Sequence, residues 1–380
     1  ANLIVDGETL TIAWYVDACK ISHKDSKVVD WLIAEIEKKH GKMTIIRGKK
    51  HVFVGMTIEY LGNGKVSIIM GDYLEECIHL SGIDVSEGAK TPATKALFEI
   101  DESSPLLSQK KHDLFHHIVA KLLFVAKRAR IDTALTIAFL CTRVSKSTEQ
   151  DWDNLARLLK YIHSTINIPR ILQADDLTVL QTWVDASYAA YGDLKSHTGG
   201  CMSYGPGVFD VKSSKQKLNT KSSTESELIG ASDYLPWVIW ITHFMKHQGY
   251  TISTNIFYQD NESAIRLEQN GIKSQGEKSR HINIRYFFIK DVIKREGINI
   301  RHCPTANMVA DYFTKPLLGN LFTTMRDIIM GAIPYPAKER VENKLCLGTE
   351  CQEIKSSTND KGNEQASGRD TVPNITQKSG

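Results

Sequence analysis

TWVDASYAAYGDLKSHTGG, Thr182–Gly200, opens inside one strand candidate and closes at the start of the next. Working outward, the β-rich runs are Leu180–Ala186, Gly199–Tyr204, Val208–Ser213, Asn255–Gln259 and Ile298–His302. A long helix starts near Thr224, another covers Asn283–Lys294, and a short one begins near Ala306. Pro236 lies inside the long helix and is expected to kink or split it, because proline lacks the amide hydrogen. Three hairpin-linked strands followed by helix-linked strands predict a mixed five-stranded sheet with helices on its faces, of α/β class.

Four carboxylates fall at the edges of these elements. Asp185 ends the first strand, Glu227 opens the long helix, Asp260 ends the fourth strand, and Asp311 starts the last short helix. Carboxylates brought together at one sheet edge repel unless a cation lies between them, and oxygen-only clusters suit Mg²⁺ or Mn²⁺. Two such ions about 4 Å apart clamp the attacking water and the leaving oxygen of a phosphodiester. Each residue also has a plainer reading. Glu227 follows Thr224 by three and completes a T-x-x-E capping box. Asp260, before Asn261, caps the next helix. Asp185 simply ends a strand, and Asp311 is surface charge. Their joint placement on successive elements favours the cluster.

Upstream, Thr11–Val16 reads as a strand and Val28–Lys39 as a helix. Val52–Tyr60 and Lys65–Met70 are β-rich and flank Leu61-Gly62-Asn63-Gly64, a hairpin signal. Asp72–Leu80 reads as a short helix, and residues 84–112 as a linker or extended crossing. Leu114–Arg128, Thr133–Arg143 and Glu149–Ile166 carry helical spacing, the last capped at Ser147-Thr148-Glu149. Beyond Tyr335 there is no Phe, Trp or Tyr. That polar tail cannot bury enough apolar surface to offset its ordering entropy and is expected to be disordered. Its Cys346 and Cys351 read as incidental thiols.

The second half resembles the ribonuclease H domain of copia-type retrotransposon polyproteins. The phrases that carry the likeness are VDASYAAYGDLKSHTGG, SSKQKLNTKSSTESEL, YQDNESAI, SRHINIRYFFIK and VADYFTKPL. The resemblance implies that Asp185, Glu227, Asp260 and Asp311 hold two Mg²⁺ or Mn²⁺ ions. Glu225 is the neighbouring candidate, and Glu227 is preferred because the family's glutamate stands just before a Leu-Ile-type pair. Many ribonucleases H place a mobile histidine before the last aspartate. Here Ala306 occupies that position, and His302 sits on the preceding strand. His281 is a family landmark read mainly as structural. In KSSKQKLNTKSST, the residues Lys212, Lys215, Lys217 and Lys221, with Ser223 and Thr224, form a basic, hydroxyl-rich stretch before a helix N-terminus. That suits phosphate contacts, or is a solvated loop.

In the front half, WYVDACKISHKDSKVVDWLIAEIEKKHG and KKHVFVGMTIEY resemble the end of the palm of copia-type reverse transcriptases. RARIDTALTIAFLCTRVSKSTEQDWDNLARLLKYI resembles their thumb and connection. The palm hairpin of that family reads Tyr-Val-Asp-Asp. Here Tyr15, Val16 and Asp17 match, and Ala18 replaces the second aspartate. The upstream aspartate of the family has no counterpart, Asp6 being too near Asp17 along the hairpin. The polymerase site is therefore read as degenerate. The implied organisation is a partial palm over 1–90 and a helical thumb and connection over 91–176. A ribonuclease H-like domain follows over 177–320, then a C-terminal helix and tail over 321–380.

The bulk properties set limits. The chain has 380 residues, 42% hydrophobic and 24% charged, with a net charge of +3 that is too small to argue for a nucleic-acid partner by itself. Seven scattered cysteines without a CxxC pair favour a reduced, intracellular protein without structural zinc. The resemblance implies a cytoplasmic particle, the nucleus, or both. No apolar run approaches the roughly 20 residues of a membrane span. The chain starts at Ala1 on what reads as an approach to a strand, so the N-terminus is read as cut from something longer. Two main functions stand against each other: a metal-dependent endonuclease acting on the RNA strand of RNA–DNA hybrids, and a non-catalytic nucleic-acid-binding relic of a retroelement. A host-recruited regulatory protein is a weaker third. The resemblance implies RNA–DNA hybrid, RNA, DNA and other parts of a polyprotein as partners, with no membrane.

Overall fold

The computed structural model describes residues 2–270 and 280–336. The tail expected to be disordered, with Cys346 and Cys351, lies outside the described residues, as does the side chain of His281.

The front part holds two small sheets. β1 (Asn2–Val5), β2 (Glu8–Tyr15) and β3 (Ala18–Ser22) form an antiparallel meander. α1 (Ser26–His40) lays Val28 and Leu32 on Leu10, and Asp25 caps it by accepting from the Lys27 amide. The run expected over Val52–Tyr60 is divided into β4 (Lys50–Phe53) and β5 (Met56–Gly62) by a turn at Val54-Gly55, both at positive φ. β6 (Lys65–Ile69) follows the two-residue turn Asn63-Gly64, where both residues take the positive φ that such hairpins need. α2 (Gly71–Ser81) completes this part.

Three helices follow as the spacing predicts: α3 (Gln109–Ala126), α4 (Ala134–Cys141) and α5 (Glu149–Ser164). A 3-10 turn at Ile131–Thr133 precedes α4, and Thr148 with Asp151 forms a capping box at α5. β7 (Arg170–Leu172) has no counterpart in the sequence reading, since three residues are too few to show alternation. It pairs antiparallel with β6, making the sheet order β4-β5-β6-β7.

The main sheet comprises β8 (Val179–Ser187), β9 (Lys195–Ser203), β10 (Asp210–Asn219), β11 (Thr254–Gln259) and β12 (Ile298–His302) in the order β10-β9-β8-β11-β12. The first three strands are antiparallel; β11 runs parallel to β8, and β12 parallel to β11. Parallel neighbours need crossovers. α6 (Ser223–His247) supplies one, and α7 (Glu262–Asn270) with α8 (Arg280–Glu296) the other. This is the expected mixed five-stranded sheet flanked by helices, the ribonuclease H-like arrangement. The short helix expected near Ala306 is two 3-10 segments, Thr305–Asn307 and Val309–Phe313, followed by α9 (Gly319–Ile329).

β8 is central and covered on both faces. Leu180 and Val184 face α6, packing with Leu228, Ala231, Tyr234 and Leu235. Trp183 belongs to the opposite core, with Tyr258, Val309 and Phe313 and the apolar faces of α3, α4 and α5. Two adjacent glycines of β9 serve these two faces. A Cβ on Gly200 would stand 2.8 Å from the Tyr234 ring, so its absence admits α6. A Cβ on Gly199 would stand 2.8 Å from the Ala310 carbonyl oxygen, so its absence admits the 3-10 segment that carries Asp311.

Pro236 does not split α6, which runs unbroken from Ser223 to His247. Pro236 lies on the exposed side, while Tyr234, Leu235 and Val238 are held in the core. Their burial offsets the one missing backbone hydrogen bond.

Candidate metal centre

The register of two parallel strands sets the site. Tyr258 of β11 lies beside Trp183 of β8, so Asp260 and Asp185, each two residues further on, stand level. Asp260 is one residue past β11, whereas Asp185 does not end its strand, because β8 stays paired with β9 to Ser187. Glu227 reaches the same place from the second turn of α6. Carboxylate oxygens of Asp185, Glu227 and Asp260 all lie within 4.8 Å of one another.

The plainer capping readings fall on neighbouring residues instead. Ser222 is the N-cap of α6, accepting from the Glu225 amide at 3.2 Å, and Glu225 reaches back to the Lys221 amide at 2.7 Å. Glu225 therefore does the capping and Glu227 is released to the cluster. At α7, Asn261 accepts from the amides of Ser263 and Ala264, which frees Asp260.

Burial sharpens the electrostatics. Asp185 and Glu227 are 2% and 5% exposed, and Glu227 Oε2 is buried without a hydrogen-bond partner. Burial, then Asp185 and Asp260, push the Glu227 carboxyl well above its ordinary value. Burial and Asp185 push Asp260 up as well, although Thr305 Oγ1 donates to Asp260 Oδ2 at 3.3 Å. An anionic, oxygen-only set with an orphaned buried oxygen fits a hard divalent cation.

Asp311 stands beside this triad rather than in it. Burial, then Asp185, raise its carboxyl to about 7. Lys315, one helical step later, places Nζ 2.7 Å from Asp311 Oδ1 and 3.5 Å from Asp185 Oδ2. Thr314 Oγ1 donates to the same Asp185 Oδ2. Although burial opposes it, Asp185 and Asp311 hold the Lys315 ammonium above its ordinary pKa.

Thr314 and Lys315 are site neighbours that the sequence reading passed over, yet the i, i+4 spacing of Asp311 and Lys315 was a visible signal. His197 was also missed. Fully buried, it joins three elements: Tyr191 Oη meets Nδ1 at 2.9 Å, and Nε2 meets Ser213 Oγ at 2.8 Å. Ser213 Oγ in turn donates to the Phe313 carbonyl at 2.9 Å. Because Ser213 spends its proton there, His197 donates from Nε2 and accepts at Nδ1, as a neutral ring. Nothing in its sequence context marks it.

The basic stretch is corrected in form: Lys212, Lys215 and Lys217 lie on β10, not in a loop, because the strand continues to Asn219. Lys212 turns inward and donates to the Asp233 carbonyl at 2.8 Å, and burial lowers its pKa. Lys215 pairs with Asp193 at 2.8 Å over the Tyr191 ring. Lys217 and Lys221 are exposed, and Ser223 and Thr224 form the first turn of α6. At the front, Val16 and Asp17 form the β2–β3 turn, Val16 at φ 52°. Asp17 is exposed, and Ala18 begins β3 opposite Tyr15. Among the described residues, Asp17 joins no carboxylate cluster.

No family model matches the sequence. The chain is 23% identical over 323 residues to the retrovirus-related Pol polyprotein from transposon TNT 1-94 of Nicotiana tabacum, covering 83% of this chain and 24% of that protein. It is 28% identical over 226 residues to a putative transposon Ty5-1 protein of Saccharomyces cerevisiae, covering 58% of this chain and 71% of that protein. Among solved structures, a foamy viral protease–reverse transcriptase in complex with RNA/DNA hybrid aligns over 77% of this chain and 36% of its own, with TM-score 0.48 and 14% identity. LC11-RNase H1, isolated from compost, aligns over 36% of this chain and 92% of its own, with TM-score 0.28 and 11% identity. The chain thus spans about a quarter of the tobacco polyprotein, and over most of its length it is similar in sequence to retroelement Pol polyproteins.

Proposed function

We propose that this chain cleaves the RNA strand of RNA–DNA hybrids, as the ribonuclease H part of a copia-type retrotransposon polyprotein. The observation that carries this reading is the convergence of Asp185, Glu227 and Asp260, with an unpartnered buried oxygen on Glu227. Asp185, Glu227, Asp260 and Asp311 would hold two Mg²⁺ or Mn²⁺ ions, which supply an activated water and a charge clamp on the leaving oxygen. Asp185 would be the shared ligand, since both the triad and Asp311 border it. Thr314 fixes its rotamer by donating to Oδ2. Lys217, Lys221, Ser223 and Thr224 would contact phosphates and set the register of the hybrid without reading its sequence. The products would carry a 3′-hydroxyl and a 5′-phosphate.

The same reading makes the front half a degenerate polymerase. Asp17 alone at an exposed turn, beside Ala18, lacks the ligand set that polymerisation needs. Primer extension on an RNA template by the purified chain would refute this. The reading places the protein inside the cell, in a cytoplasmic particle or the nucleus, and takes 1–90, 91–176, 177–320 and 321–380 as its parts.

A labelled RNA–DNA hybrid incubated with Mg²⁺ or Mn²⁺ tests the activity, beside Asp260→Asn. Cleavage by the wild type and loss of at least about 100-fold in the variant are expected, the scale of losing one essential group. Cleavage that survives Asp260→Asn rejects the site. No cleavage by either protein favours the second reading, a nucleic-acid-binding relic, for which the exposed Asp17 beside Ala18 already speaks.

A further inference from the structure

The site holds a cation of its own. The Lys315 ammonium lies between Asp311 and Asp185, at 2.7 and 3.5 Å from their oxygens. Its position is not incidental to a floppy side chain. The Lys315 amide bonds the Asp311 carbonyl at 2.9 Å, which sets its Cα one turn beyond Asp311. Thr314, the residue before, is fully buried and donates to Asp185. The side chain itself is 41% exposed, so its ammonium has an open route to water.

The carboxylates therefore present two unequal sides. On one, the Glu227 carboxylate faces Asp185 and Asp260, and its Oε2 has no hydrogen-bond partner. On the other, Asp311 and Asp185 already share an ammonium. A divalent ion entering the first side meets a carboxylate oxygen without a partner, where Lys315 acts only through space. One entering the second side meets an ammonium at 2.7 and 3.5 Å from its ligands, which repels it until the lysine leaves.

We propose that Lys315 is a resident competitor for the second ion. The Glu227 side fills first, and the Asp311 side fills only when the Lys315 ammonium swings out to solvent. This rests on the metal-site reading above. Lys315 is a positioning residue here: it acts through Asp311 and Asp185 and sets when the site becomes two-ion.

Counting bound Mn²⁺ on the full chain tests this, using the electron paramagnetic resonance signal of the free ion, with wild type, Lys315→Met, Lys315→Arg and Asp185→Asn. The wild type should bind one ion well and a second at least about tenfold more weakly, and Lys315→Met should tighten the second by about tenfold. Lys315→Arg should behave as wild type. Unchanged second-ion affinity in Lys315→Met overturns the inference and leaves the metal site standing. No Mn²⁺ bound by the wild type beyond Asp185→Asn overturns both. A variant-free measurement runs beside it: amine labelling of the wild type followed by peptide mass spectrometry. Lys315 should label several-fold faster at saturating Mn²⁺ than without it, and equal rates overturn the inference.

Discussion

Gly199 stands directly across the β8–β9 ladder from Asp185, and a Cβ on it would lie 2.6 Å from Thr314 Cγ2. The missing side chain is what lets Thr314 reach Asp185. Gly199→Ala should therefore push the 309–315 segment off the sheet and cost about 1–3 kcal/mol, the usual penalty of overpacking. Urea denaturation measures it. A variant as stable as wild type, with unchanged Mn²⁺ binding, would show that the segment is not seated this way.

Glu227 is destabilised by its own charge. Its folded pKa is raised by burial first, then by Asp185 and Asp260. A raised value means that its contribution is fully present below the unfolded carboxyl range and is lost as pH rises through the folded value. Glu227→Gln removes that loss. Without metal at neutral pH the variant should melt higher by roughly 2–4 °C per kcal/mol relieved. It should also lose the thermal gain that Mg²⁺ or Mn²⁺ gives the wild type. A lower melting temperature, with the metal gain intact, would argue for a structural glutamate.

His197 makes the fold acid-sensitive. Burial drives its pKa down to about 3 from an ordinary 6.5. The sign is that of a depressed group: its stability is fully present above about 6.5 and drains away as the pH falls toward about 3. The slope is about 1.4 kcal/mol per pH unit at most. His197→Gln has no such titration. The stability difference between wild type and variant should shrink from pH 7 to pH 4, and parallel profiles would show that His197 is not buried neutral.

A second buried network ties the helical part to the site. Arg130 forks onto both oxygens of Asp132 at 2.9 and 2.8 Å, and Tyr161 Oη donates to Asp132 Oδ2 at 2.7 Å. Tyr312, next to Asp311, donates to the Asp132 carbonyl at 3.1 Å. Asp132→Asn leaves the Arg130 charge buried without its counterion and should cost about 3–5 kcal/mol. Replacing both partners by apolar residues should cost less than that. Equal losses would mean that the pair is not the reason for the cost.

Legibility in the sequence followed the length of the pattern. The five strands of the main sheet and the helices α3, α5 and α6 were visible because period-2 and 3.6-residue repeats accumulate over many positions. β7 and the 3-10 segments were not, since three to five residues carry no period. Pro236 misled as to a split for the opposite reason: a strong local rule yielded to the burial of its helical neighbours.

By itself, the order of residues named Asp185, Glu227, Asp260 and Asp311 and put each at or near an element's end, because chemistry and strand periodicity are local properties. Which carboxylates meet was a tertiary decision. The β8–β11 register levels Asp185 with Asp260, and the Ser222–Glu225 cap releases Glu227. Lys315 takes Asp311 for itself. These pairings depend on distances across the sheet, which no spacing along the chain records.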